Sequence, residues 1–216
     1  MKRILLLATN CLMLVGSAFG QPSSCPAHFA GGQAPELTNS RLSPRTQELC
    51  FEAFSSLHSG VTKSSLYSAE FLNRARIEAA RSLKRRNSFH PEDQLRTGDR
   101  AELKDYSRSG YDRGQVLVPT GIFKAIYDPT KRMGAAYVVK NAPGMDYQVL
   151  SLEELETRVG LNVFPVVPTA SKRSKLSLPE PKPSGYAGKG QKNPKLPDDR
   201  QIFRSAYYLK KLINLH

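Results

Sequence analysis

Apolar and polar positions change period several times along the 216 residues, and each change marks an element. Residues 50–57 mix apolar and small side chains as a half-buried strand does, and Ser59-Gly60 marks a turn after them. A second strand fits 64–71, with Leu66, Tyr67 and Phe71. Over 73–83 the period predicts a helix with Ile77, Ala80 and Leu83 on one side and Arg74, Arg76 and Arg81 outward. Residues 84–109 are polar, without a clean period, and longer than an ordinary connection, which is the mark of a functional or disordered loop. Residues 122–127 and 135–139 flank a polar stretch around Asp128-Pro129 and read as a β-hairpin with a generous turn. Ser151 followed by Glu154 forms a capping box, Leu152 and Leu155 face a core, and Gly160 stops the helix. Residues 161–167 read as a closing strand. Beyond Pro168 the composition shifts to Lys, Pro, Gly and Ser, a solvated linker. Amphipathic character returns over 199–215 and predicts a terminal helix that buries Ile202, Tyr207 and part of 209–212.

The ends and the charge add to this picture. Lys2 and Arg3 precede an apolar run over 4–15, and Ala18 and Gly20 supply small residues, so 1–20 reads as a secretory signal. The run is short for a bilayer span, and no later segment is apolar enough to cross one. Export leaves Cys25 and Cys50 as a pair in an oxidising compartment, where a disulfide is the expected state and two free thiols the other reading. Neither cysteine has zinc-site spacing, and His28, His58, His90 and His216 are scattered. The net charge of +13 attracts polyanions, whether nucleic acid, anionic lipid or cell-wall polymer. Eleven Lys and Arg against three Asp and Glu follow Ser171, so much of that charge lies in the tail. There are no internal repeats, no Walker-type phosphate loop, and no paired-carboxylate or Ser/His/Asp pattern.

One motif carries chemistry. Asp105-Tyr106-Ser107-Arg108-Ser109-Gly110-Tyr111-Asp112-Arg113-Gly114 resembles the signature of the DNA/RNA non-specific endonucleases, the ββα-metal family, which continues Asp-Arg-Gly-His. Upstream, Leu49-Cys50-Phe51, His58-Ser59-Gly60, Ser68-Ala69-Glu70 and Arg85-Arg86-Asn87-Ser88-Phe89 are similar to the family's N-terminal half, in order. Downstream, Val118-Pro119-Thr120, Phe123-Lys124-Ala125-Ile126-Tyr127 and Ala136-Tyr137-Val138-Val139 are similar to its C-terminal half, and the similarity spans about 49–167. The resemblance implies divalent-metal-dependent (Mg²⁺ or similar) phosphodiester hydrolysis acting on DNA and RNA without sequence preference. It also implies an α+β fold, a central mainly antiparallel sheet with short helices.

Departures from the family pattern decide what this chain can do. The signature histidine, the family's general base, is replaced by Gln115, whose amide can orient a water but not deprotonate it. Loss of a general base costs about 10²–10⁴-fold in rate. Gly114-Gln115 then runs almost directly into Val116-Leu117-Val118-Pro119, which resembles sequence beyond the family's metal-binding helix, so the ββα-metal domain is incomplete. Asn141 is a poor substitute for the missing asparagine ligand, and no metal ligand is assigned. Asp112, Arg113, Gly114 and Gln115 hold the signature positions. Arg113, with Arg85 or Arg86, is the phosphate-contacting set that the resemblance implies, against a solvated surface charge as the plain alternative. Lys124 reads as an outward, solubilising strand lysine, and His90-Pro91-Glu92-Asp93 as a loop.

The organisation expected is a signal over 1–20, a loosely ordered leading segment over 21–46, a nuclease-like domain over 47–168, a basic linker over 169–198 and a terminal helix over 199–216. The function expected is a secreted or periplasmic nucleic-acid-binding protein of this family with hydrolysis lost or impaired. The alternatives are a living phosphodiesterase with a replaced base and a metal site built from other residues, for which 90–93 is the only ligand-type cluster, and an envelope or periplasmic protein contacting anionic polymers.

Overall fold

The computed structural model describes residues 23–84, 90–106, 120–140 and 146–181, and the backbone of 205–213. Seven strands make one sheet: β2 (Thr46–Cys50), β3 (Ser55–Ser59), β4 (Ser64–Asn73), β9 (Ser205–Ile213), β5 (Gly121–Asp128), β6 (Met133–Lys140) and β7 (Tyr147–Leu150), in that spatial order. Every pairing in it is antiparallel. A separate two-strand ladder joins β1 (Glu36–Leu37) to β8 (Leu161–Asn162). With three short helices, the fold is α+β, as the sequence indicates.

The hairpin β5–β6 forms where alternation predicts it. Its turn is held by Asp128, whose Oδ1 accepts from the backbone N–H of Thr130 and Lys131 at 2.9 and 3.2 Å. Gly134 opens β6 because a Cβ there would collide with Leu152 and with the carbonyl of Ile126. The strand read over 50–57 is instead broken by a turn, in which the Phe51 N–H donates to the Phe54 carbonyl at 2.9 Å, giving β2 and β3 as a hairpin.

The C-terminal segment corrects the expected helix over 199–216. Residues 205–213 form β9, paired to β4 from Ser68↔Lys210 to Asn73↔Ser205 and to β5 from Gly121↔Ile213 to Tyr127↔Tyr207. Without it, β4 and β5 would present two facing rows of unpaired backbone groups. Satisfying both rows outweighs the local helical period, and Tyr207, Tyr208 and Ile213 favour strand. The sheet therefore runs without a break from β2 to β7.

The leading segment is also more ordered than its composition suggests. Phe29 and Ala30 are buried in the main core, the Gly160 carbonyl accepts from the N–H of Thr38 and Asn39, and β1 pairs with β8. A Ser/Pro/Gly/Ala-rich stretch has no period of its own; it is ordered by what it covers.

α2 (Leu152–Val159) carries the expected capping box: Ser151 Oγ accepts from the Glu154 N–H at 3.1 Å, and Glu154 Oε2 accepts from the Ser151 N–H at 2.7 Å. Leu152, Leu155 and Val159 are buried, and Gly160 ends the helix at φ 61°. The closing strand read over 161–167 shortens to β8, because Val163, Phe164 and Val167 enter the core from a turn.

Residues after 168 are not all linker. α3 (Thr169–Arg173) buries Lys172, whose Nζ lies 2.8 Å from Glu156 and 2.7 Å from Asn162, and Leu176 is buried with Ile126 and Ala135. α1 (Arg74–Arg81) is a helix, but the apolar side read for it is not core: none of its residues is buried, and Leu83 beyond it is 77% exposed.

Candidate nucleic-acid interface

The signature residues Asp112, Arg113, Gly114 and Gln115, the arginines Arg85 and Arg86, and Asn141 lie outside the described residues. Lys124 is exposed on β5. Cys25 and Cys50 are joined in a disulfide with a Cα–Cα separation of 5.9 Å. A second tie lies beside it, where the buried His28 ring donates from Nε2 to the Phe51 carbonyl at 2.9 Å.

Between the signature's upstream loop and the sheet, the structure shapes a cleft of about 230 Å³. β2 contributes Leu49, and β3 contributes Ser56 and His58, two positions apart and so on one face. The β3–β4 register shifts between Leu57 and His58, so Tyr67 faces Leu57 while Ser65, not Leu66, faces His58. This bulge turns the end of β4 toward the cleft with Ser64 and Ser65. The 51–54 turn brings Phe51 and Phe54, whose rings stack with centroids 4.6 Å apart. Lys63 comes from the β3–β4 turn, where it holds a left-handed φ of 50°.

The far wall is the segment 92–101. It is pinned by Gln47 donating to the Gln94 carbonyl at 3.0 Å, by His58 Nε2 donating to the Asp99 carbonyl at 2.8 Å, and by an Arg45–Asp99 ion pair. A Cβ at Gly60 would collide with the Asp99 carboxylate, which gives the glycine of His58-Ser59-Gly60 its physical reason. Leu95, within this segment, is buried. Arg100 is spent on the wall itself: its guanidinium donates to Glu102 at 2.8 Å and to the Glu92 carbonyl at 3.1 Å. The Glu102 hydrogen bond holds its pKa above the ordinary arginine value. Lys63 has no ion-pair partner among the described residues.

Among the described residues the donors do not make a metal centre. Among the described residues, Cys25, Glu48 and Cys50 alone bring three ligand-type atoms together, and the two sulfurs are bonded to each other. Neither is a thiolate, the form that binds metal. The Glu48 carboxylate already accepts from Ser23 Oγ at 2.6 Å and from Ser24 N and Oγ at 3.0 and 2.9 Å. Nor do His90, Glu92 and Asp93 converge. His90 Nδ1 meets the Pro91 carbonyl at 2.9 Å, Glu92 accepts from the Gln94 N–H, and Asp93 faces Arg100 at 3.4 Å.

Local pattern reading missed Phe54, Lys63 and Arg100 as site residues, and placed Glu92 only in a loop with ligand-type side chains. The first lies in what reads as a strand, and the others lie in stretches with no period. The only available signal was a pair of phenylalanines three apart at a turn.

The α+β domain thus carries a polar, aromatic-rimmed cleft walled by the segment 92–101. Residues 34–114 match the model of the DNA/RNA non-specific endonuclease family, so the resemblance read from the sequence holds over that segment. That family is divalent-metal-dependent and acts on nucleic acid. Comparison with curated proteins and with solved structures finds no match. No helix among the described residues is long and apolar enough to cross a membrane.

Proposed function

We propose that this chain is an exported nucleic-acid-binding protein of endonuclease descent whose hydrolytic centre is lost or strongly impaired. One observation carries the reading. The family match ends at Gly114, and the next residue is Gln115 where the family has its histidine, followed at once by Val116-Leu117-Val118-Pro119. The chain thereby loses both the group that deprotonates water and the segment that supplies the metal's ligand. A divalent metal is worth several kcal/mol in offsetting charge at phosphorus, and no described cluster replaces its site. What remains is positive charge: Arg113 in the signature, Arg85 and Arg86 upstream, and the eleven Lys and Arg after Ser171. Export is supported by the charged, apolar and small-residue run over 1–20 and by the disulfide.

Incubation with supercoiled plasmid and with RNA, in magnesium and in chelator, tests the reading. The expected result is no cleavage, with a salt-dependent gel shift on both nucleic acids. Chelator-sensitive cleavage at ordinary enzyme concentration would sink it. Gln115→His is expected to leave the protein inactive, because a base without the metal segment has no activated phosphate to serve; rescue by that change would show the metal site to be intact.

A further inference from the structure

The 92–101 cleft has a composition that the hydrolytic reading does not use. Its volume of about 230 Å³ lies below the roughly 300–1,000 Å³ of pockets for drug-sized ligands, so it admits a single ring system. Phe54 stacks on Phe51 yet remains 36% exposed, a large apolar ring left partly in water at the cleft's edge. Lys63 supplies a cation with no ion-pair partner among the described residues. Glu92 lines the same space, and its carboxylate accepts from the Gln94 N–H and feels the charge of Arg100. The hydroxyls of Ser64 and Ser65 complete the polar lining. A phosphate held inside would meet the Glu92 carboxylate, and the Arg100 guanidinium in the same lining is already engaged by Glu102 and the Glu92 carbonyl. A base would instead offer a π-face to the phenylalanine and an amino group to the carboxylate, leaving its phosphate to the lysine. All these residues lie within the family-matched segment 34–114, and the wall runs on in sequence toward Asp112-Arg113.

We propose that this cleft is a nucleobase pocket that takes one base of a single-stranded nucleic acid, stacked at Phe54, with the adjoining phosphate at Lys63. The proposal rests on the nucleic-acid-binding reading above and adds a site and a preference for unpaired strands.

The test measures fluorescence anisotropy of the full-length, oxidised protein with two labelled DNA strands of equal length, one base-bearing and one abasic. The wild type is expected to favour the base-bearing strand. Phe54→Ala and Phe54→Leu should weaken that strand about tenfold or more and leave the abasic strand unchanged, while Phe54→Tyr should retain binding. Phe54→Leu keeps apolar bulk, so it separates stacking from folding. Lys63→Ala should weaken both strands and reduce the salt slope by about 0.7, one phosphate on a single strand. If the Phe54 variants bind both strands like the wild type, or lose both equally, the pocket is overturned while non-specific binding stands. If the wild type binds neither strand, the nucleic-acid reading falls, and the pocket is decided by adding AMP or CMP to Phe54→Trp. The chain has no other tryptophan, so saturable quenching supports a base site and its absence overturns it.

Discussion

On the β5–β6–α2 side of the molecule the fully buried side chains are apolar: Phe123, Ala125, Leu152, Leu155 and Leu161, each at most 1% exposed. On the β2–β3–β4 side, Leu49, Leu66, Tyr67 and Ala69 are buried too, but Ser55, Ser56, Ser59 and His58 are buried beside them, and the loop over that face is held by hydrogen bonds and an ion pair. Apolar burial is non-directional and close-packed, so it fixes a scaffold and leaves no room for a ligand. Directional polar burial fixes the walls of a cleft at the cost of contact area. One apolar core thus reaches both halves, the buried polar positions are added on the side of the candidate site, and the family match falls on that side.

Substitutions can break this contrast from either side. The largest effect is expected in the apolar half: Leu155→Ala empties a fully buried position and should cost about 2–5 kcal/mol by urea unfolding. A cost below 1 kcal/mol there would mean that this core is not close-packed. Next comes the polar half's covalent tie. Replacing Cys25 and Cys50 by serine reopens a 25-residue separation, a loss of about 3 kcal/mol on the chain-entropy picture. Because His28 and Glu48 hold the same segment, limited proteolysis should show loosening confined to residues near 23–37, and a uniform loss of protection would contradict a local tie.

Smaller still is the cap of α2, where Ser151→Ala should cost about 1 kcal/mol near neutral pH. The Ser151 backbone N–H, then Lys175, hold the Glu154 carboxyl below its ordinary pKa. A depressed carboxylate stabilises the fold above the unfolded value of about 4.3 and loses that contribution as pH falls through the folded value. Glu154→Gln should thus flatten the acid limb of stability against pH, and an unchanged limb would remove Glu154 from the account. The smallest effect is expected at Arg45. Its pair with Asp99 is half exposed, and Arg45→Ala should cost less than about 1 kcal/mol, but it should raise amide exchange over 94–100 if the cleft wall depends on it.

The elements readable from sequence were those whose signals are local. The β5–β6 hairpin, the Ser151–Glu154 capping box with its Gly160 stop, and the helix after Asn73 each owe their form to side chains within a few residues. The leading segment, the buried Lys172 and the cleft residues were missed because each is defined by partners far along the chain. Phe29 needs the α2 core, Lys172 needs Glu156 and Asn162, and Arg100 takes its place between Glu92 and Glu102 against β2 and β3.

Sequence alone determined the endonuclease resemblance, the surplus of positive charge and the cysteine pair, because these depend on residue identity and order. Tertiary structure decided where the last strand goes. Residues 205–213 have an amphipathic pattern compatible with a helix, and only the two facing edges of β4 and β5, distant in sequence from each other and from it, make a strand the better-satisfied backbone.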